Sequence, residues 1–286
     1  MQISKNKKYQ YLFFSILSIF IIFNGGNSNL LIQLNFVLVS LFFLFCLKDK
    51  NYKAHFYVFY LNNKKSILLY LVFLSYLIFQ ILPLPVSLIE SLSSEKYKFL
   101  NMINGISYST ISLSPSNSFF QLLNFSTLLL FVFLLNMIFY TEKHKYRFFI
   151  FLSFAGFISS LVAVLFYLNG NPDFLIFKNS DYKNASSGFF VNRTVFSVFL
   201  LFCLVSSLEL LKYFERIKIN HKKDNFFLKI YIRLFIVFIT IGIITSFSRI
   251  GNFLLLITIL FYLLNEIFFE KNKNFSFKII ILLIVF

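Results

Sequence analysis

The 286-residue sequence predicts an all-α, polytopic transmembrane helix bundle of about nine spans with the last one incomplete, on three observations. Hydrophobic residues make up 58% of the chain and Phe alone accounts for 45 positions, while only 13% of residues are charged. That is too little polar surface to cover a soluble fold of this size. The apolar residues come in long runs, the charges gather in short clusters between the runs, and no intervening segment is large enough to fold as a soluble domain. The chain therefore reads as a single transmembrane domain over 1–286. Its net charge of +16 belongs to membrane flanks and gives no reason to expect nucleic acid as a partner.

A helix rising 1.5 Å per residue crosses a hydrocarbon core of about 30 Å in about 20 residues. By that measure the spans lie near 10–24, 30–47, 66–85, 118–140, 148–168, 190–211, 230–246, 250–269 and 277–286. The first follows Lys5, Lys7 and Lys8 and has the length of a signal-peptide core. No small-x-small cleavage site follows it, so it is read as a retained helix. The third ends at Leu82-Pro83-Leu84-Pro85, because each Pro removes a donor and pushes its predecessor out of helical geometry. The run from Ile230 to Phe269 would be about 60 Å long as one helix, twice what a crossing needs. Its only polar cluster, Thr245-Ser246-Phe247-Ser248-Arg249, is therefore read as a tight turn at a membrane surface. The final stretch stops within the apolar run Ile279–Phe286, which predicts a truncated chain or a short re-entrant end.

With the N-terminus cytoplasmic, most of the 27 Lys and Arg residues fall in cytoplasmic segments, and the other side receives only Lys96, Lys98, Lys178, Lys183, Arg193 and Arg249. This positive-inside bias sets the expected orientation. It leaves two longer outer loops, 86–117 and 169–189, and short outer turns at 24–29 and 245–249.

Soluble-enzyme signatures are missing from the sequence: it has no Gly-rich phosphate loop, no His-Glu pair at metal spacing and no Gly-x-Ser-x-Gly elbow. His55, His144 and His221 fall in basic cytoplasmic loops and read as solvated flanks, so no metal or other cofactor is expected. Cys46 and Cys203 lie in or at the end of apolar runs and read as packing residues. The informative charges are the outward arginines, Arg193 and Arg249. A guanidinium grips phosphate oxygens bidentately, which suits a lipid-linked phosphate or diphosphate; the plainer reading is that each snorkels to ordinary headgroups. Asn192 and Ser248, beside them, read either as further ligands at the same depth or as helix N-caps. Charged residues crowd the span ends, which argues against a transporter with ionisable groups in mid-span.

Four segments in order resemble the O-antigen ligase and polymerase superfamily of bacterial membrane glycosyltransferases. They are Phe79-Gln80-Ile81-Leu82-Pro83-Leu84-Pro85; Ile111-Ser112-Leu113-Ser114-Pro115-Ser116; Ser187-Gly188-Phe189-Phe190-Val191-Asn192-Arg193; and Thr245-Ser246-Phe247-Ser248-Arg249. The third is similar to the family's Gly-x-Phe-x-Asn span entry and the fourth to its Thr-x-Ser-Arg turn. Where the family commonly has Gly after Ser-Arg and a second Asn after Asn-x, this chain has Ile250 and Thr194.

The resemblance implies a multi-pass protein of the bacterial inner membrane that works without metal or nucleotide sugar. A glycan on undecaprenyl diphosphate in the outer leaflet would pass to an acceptor hydroxyl, on a lipid A core or a growing polysaccharide. Arg249 and Arg193, with Ser248 and Asn192, would bind the lipid diphosphate and stabilise the charge growing on it as it leaves. The general base is expected from an outer loop beyond Phe286. The competing expectations are a lipid-linked glycan flippase and a non-catalytic, truncated membrane protein.

Overall fold

Among the described residues, apolar sequence becomes helix almost throughout. A computed structural model describes residues 2–23, 25, 28–102, 107–172, 183–216 and 222–269. The helices are α1 (Gln2–Ile22), α2 (Asn29–Leu47), α3 (Lys50–Asn62), α4 (Lys64–Ile81), α5 (Val86–Leu92), α6 (Ser94–Asn101), α7 (Pro115–Ile138), α8 (Glu142–Leu168), α9 (Arg193–Arg216), α10 (Lys222–Thr245) and α11 (Arg249–Phe269). Two short strands, β1 (Leu84–Pro85) and β2 (Tyr108–Ser109), pair antiparallel with Leu84 opposite Ser109 and Pro85 opposite Tyr108.

Among the described residues six helices are long and apolar enough to cross a membrane: α2, α4, α7, α8, α9 over Arg193–Phe214 and α10 over Phe226–Thr245. The fold is all-α in its long elements, and the chain is built as a membrane-embedded protein. Helix α1 carries Lys5, Lys7 and Lys8 near its start, and α11 has a shorter apolar stretch, Arg249–Asn265. The segment expected to form a ninth span, 277–286, lies outside the described residues.

Local chemistry sets the helix ends. Ser28, Asp49 and Thr141 cap α2, α3 and α8 by accepting the backbone N–H of Leu31, Asn51 and His144. Pro115 occupies the first turn of α7, where its missing donor costs nothing. Two segments read from sequence as loops need correction: 48–65 contains α3, and 86–117 contains α5, α6 and the strand β2, which pairs with β1 just before it. A search for runs of about 20 apolar residues passes over helices of 13, 7 and 8 residues.

The helices group into two units, one of Met1–Ile16 with Gly26–Tyr140 and one of Leu17–Gly25 with Thr141–Phe286, where the sequence alone reads as a single domain. In the first, α7 packs against α2, α3 and α4. Rings do much of the joining. Phe133 meets Phe43, Phe56 and Phe59 at centroid separations of 5.9, 5.1 and 6.1 Å, and Phe13 meets Phe131 and Phe139 at 5.1 and 5.4 Å. His55 stacks on Tyr140 at 3.8 Å and is half-buried, so it is a packing residue and not the solvated flank expected. Burial raises the Tyr52 hydroxyl well above its ordinary pKa, beside the ring of Tyr9 at 4.7 Å.

The second unit joins α8, α9 and α10 to one another and α11 to α9. Here small residues let backbones approach, as membrane helices require when lipid offers no hydrophobic drive between them. A Cβ on Gly156 of α8 would collide with Cys203 of α9, and one on Gly242 of α10 would come within 2.8 Å of Ser160 and Leu200. Cys46 and Cys203 are free and buried.

Candidate functional site

The second unit gathers the predicted site residues at one end, where α8 and α10 finish and α9 and α11 begin. Asn171 is held there with φ +53°, and its Nδ2 donates to the carbonyls of Lys183 and Ala185, both at 2.9 Å. Ser186 then ties this segment to α10. Its backbone N–H donates to Thr245 O at 2.9 Å, and its hydroxyl lies 2.9 Å from Thr245 Oγ1 and donates to Gly242 O at 3.2 Å. Gly188, at φ +55°, passes Ala163 so closely that a Cβ would lie 3.0 Å from Ala163 Cβ.

From that support the chain enters α9 through Asn192, whose Oδ1 accepts the Thr194 N–H at 2.8 Å while its carbonyl accepts that of Phe196. Asn192 is therefore the N-cap of α9, and it is exposed. The turn from α10 into α11 is equally tight: Ser246 N donates to Ile243 O, Phe247 N donates to Ile244 O, and Phe247 takes the left-handed φ of +48°. Ser248 caps α11 by accepting the Gly251 N–H at 3.2 Å.

The two helix starts are brought together. The buried Ser248 hydroxyl donates to Thr194 Oγ1 at 3.4 Å, and Gly251 lies against Ser197 with no room for a Cβ between them. Arg193 and Arg249 are the first residues of these helices, Arg193 half-buried and Arg249 exposed. Free backbone N–H groups and the positive end of the dipole make each helix start a place for an anion, and two adjoining starts with a guanidinium apiece strengthen that character. The four residues thus divide by role. Asn192 and Ser248 hold backbone N–H groups, while Arg193 and Arg249 supply the charge.

Sequence reasoning missed three features of this unit. Thr194, noted only as a departure from a pattern, is the partner that joins α9 to α11. Asn252, in the first turn of α11, encloses its Oδ1 without a hydrogen-bond donor among the described residues. Far along the same two helices, Tyr262 of α11 donates to a Glu209 carboxylate oxygen of α9 at 2.8 Å, and the buried Lys212 ammonium sits 4.8 Å from the Tyr262 ring centroid. Glu209 and Lys212 both stand in the last turns of the apolar stretch Arg193–Phe214, where charges were expected to crowd. Tyr262 stands 53 positions beyond Glu209 and 50 beyond Lys212, so no local motif announces the cluster.

Among the described residues no group of three or more His, Cys, Asp and Glu side chains could hold a metal ion. Fold and site together define a helical membrane protein whose candidate centre is a pair of adjoining, arginine-led helix N-termini. No protein-family model, curated protein or solved structure matches the chain.

Proposed function

We propose that the chain is a membrane glycosyltransferase of the O-antigen ligase or polymerase type, moving a glycan from undecaprenyl diphosphate to an acceptor at the outer face of the bacterial inner membrane. One observation carries the reading: the N-termini of α9 and α11, each opening on an arginine, adjoin through Ser248 and Thr194. An acceptor oxygen would attack the anomeric carbon as the bond to the diphosphate breaks. The acceptor's proton would pass to a general base. Charge growing on the departing diphosphate is what Arg193, Arg249 and the two helix starts would stabilise. The same reading puts this end of the bundle outside, the N-terminus in the cytoplasm and about nine spans in the whole.

The test is complementation of a strain lacking the gene, read as surface glycan. Arg249→Ala and Arg249→Lys are both expected to abolish it, since Lys keeps the charge but loses the fork. Wild-type glycan from Arg249→Ala, at normal protein level, would sink the assignment. A flippase remains the second reading, favoured by the partly buried Glu209, Lys212 and Tyr262 cluster between α9 and α11. Intramembrane charges of that kind mark transport pathways. It predicts that Glu209→Gln stops transfer of a lipid-linked glycan across vesicle membranes while Arg249→Ala does not.

A further inference from the structure

The segment between α4 and α7 reads in sequence as a water-facing loop, yet it leaves several large apolar side chains exposed among its polar ones. Leu88 and Leu92 lie one turn apart on α5, 49% and 53% exposed, while Ser87 and Glu90 lie on its other side. Phe99 on α6 is 60% exposed, Met102 just after it 78%, and Leu113, before α7, 78%. Such a run of bare large side chains on a small motif is unusual for a surface bathed in water.

The motif is also held at a fixed height. β1 follows α4 after two residues and pairs with β2, while Ser112 N donates to Gln80 O at the end of α4 and Val86 N to Ser107 O. The buried Lys96 ammonium of α6 donates to Thr110 Oγ1 at 3.2 Å and to the Ser112 carbonyl. Ser112 in turn shares a 2.7 Å hydroxyl contact with Ser118 in the first turn of α7. Both helices that carry the motif are long and apolar enough to cross the bilayer. Their ends at Ile81 and Pro115 fix it at the level where a span leaves the hydrocarbon.

We propose that α5 and α6 form an interfacial anchor, lying in the headgroup and acyl boundary of the bilayer with Leu88, Leu92, Phe99 and Met102 in contact with lipid. The polar arc of α5 then faces water, and the Glu95–Lys98 pair, both side chains largely exposed, sits at headgroup level where long side chains reach polar surroundings. The occupant of this face is lipid because the motif directly joins two helices of membrane-crossing length that themselves leave large apolar side chains bare up to its edges, Phe79 and Leu82 at the end of α4 and Phe119 at the start of α7. The proposal is independent of the enzymatic reading.

The chain contains no Trp, so one introduced Trp is a sole reporter. Leu92→Trp, Phe99→Trp and, for the polar arc, Ser87→Trp and Glu90→Trp would be reconstituted in phosphatidylcholine and phosphatidylglycerol vesicles. Lipids brominated high on the acyl chain are expected to quench the reporters at 92 and 99 about threefold more than those at 87 and 90, with aqueous acrylamide giving the reverse order. Circular dichroism matching the parent protein establishes that each variant is folded. Equal acrylamide quenching at all four positions would overturn the anchor, and so would reporters at 92 and 99 that neither quencher reaches, since another protein surface would then cover them.

Discussion

Gly251 of α11 and Ser197 of α9 lie so close that the hydroxyl and Cβ of Ser197 fill the space a Gly251 side chain would need. The contact sits two residues beyond Arg249, so it sets how near the two helix starts can come. Gly251→Ala is expected to force the helices apart and to cost about 1–3 kcal/mol, the usual range for overpacking a filled contact. Ser197→Gly removes both obstructing atoms, so adding it to Gly251→Ala should restore most of the loss. Unfolding in detergent, followed by circular dichroism, measures both. A double variant no more stable than Gly251→Ala alone would show that the strain lies elsewhere.

Capping and charge separate in the candidate site, and stability measurements can tell them apart. Ser248→Ala removes the acceptor for Gly251 N–H and the link to Thr194, with an expected loss of about 1 kcal/mol. Arg249→Ala, at an exposed position, is expected to leave the unfolding midpoint within error. The reverse order would mean that Arg249 is structural.

Tyr262→Phe keeps the ring beside Lys212 but takes the donor from Glu209, and is expected to cost about 1–3 kcal/mol. Tyr262→Leu also removes the ring from a buried ammonium and should cost more. Equal losses for the two would show that the ring contributes nothing.

Burial of Lys96 lowers its pKa below the ordinary lysine value of 10.5. The unfolded motif then binds more protons than the folded one between the lowered pKa and 10.5, so stability rises with pH across that window. Protection of the α5–α6 segment from proteolysis should therefore increase toward alkaline pH in the parent protein relative to Lys96→Met. Parallel profiles for the two would rule out Lys96 as the source.

Long helices were legible in the sequence because their apolar runs approach bilayer length. The division of α10 from α11 at Thr245–Arg249 follows from the same arithmetic, since no single helix could extend from Ile230 to Phe269 across one bilayer. Helices α3, α5 and α6 were hidden because they are too short to register on that scale. In the candidate site, Asn192 and Ser248 showed themselves as polar residues at helix starts, and they are caps. That Ser248 would reach Thr194, 54 positions earlier, depends on how Gly251 and Ser197 let two helices approach, and local sequence carries no sign of it. The grouping into two units is hidden for a similar reason: Phe133 has many aromatic neighbours along the chain, and hydropathy does not say which of them it meets.

The first unit joins its helices largely through rings, whereas the second combines ring contacts such as Phe157 on Phe235 with close backbone approaches, and this gives the two units different freedom to vary. Where Phe133 and Phe13 mesh with other rings, Phe, Tyr and Leu exchange with modest loss, because a pliable layer of large side chains takes up the change. Where Gly156 meets Cys203 and Gly242 meets Ser160, no such layer exists, and one added methyl group displaces a whole helix. Random substitution should therefore be tolerated more readily before Tyr140 than after it, leaving α8, α9 and α10 as the part of the chain with the least room to drift.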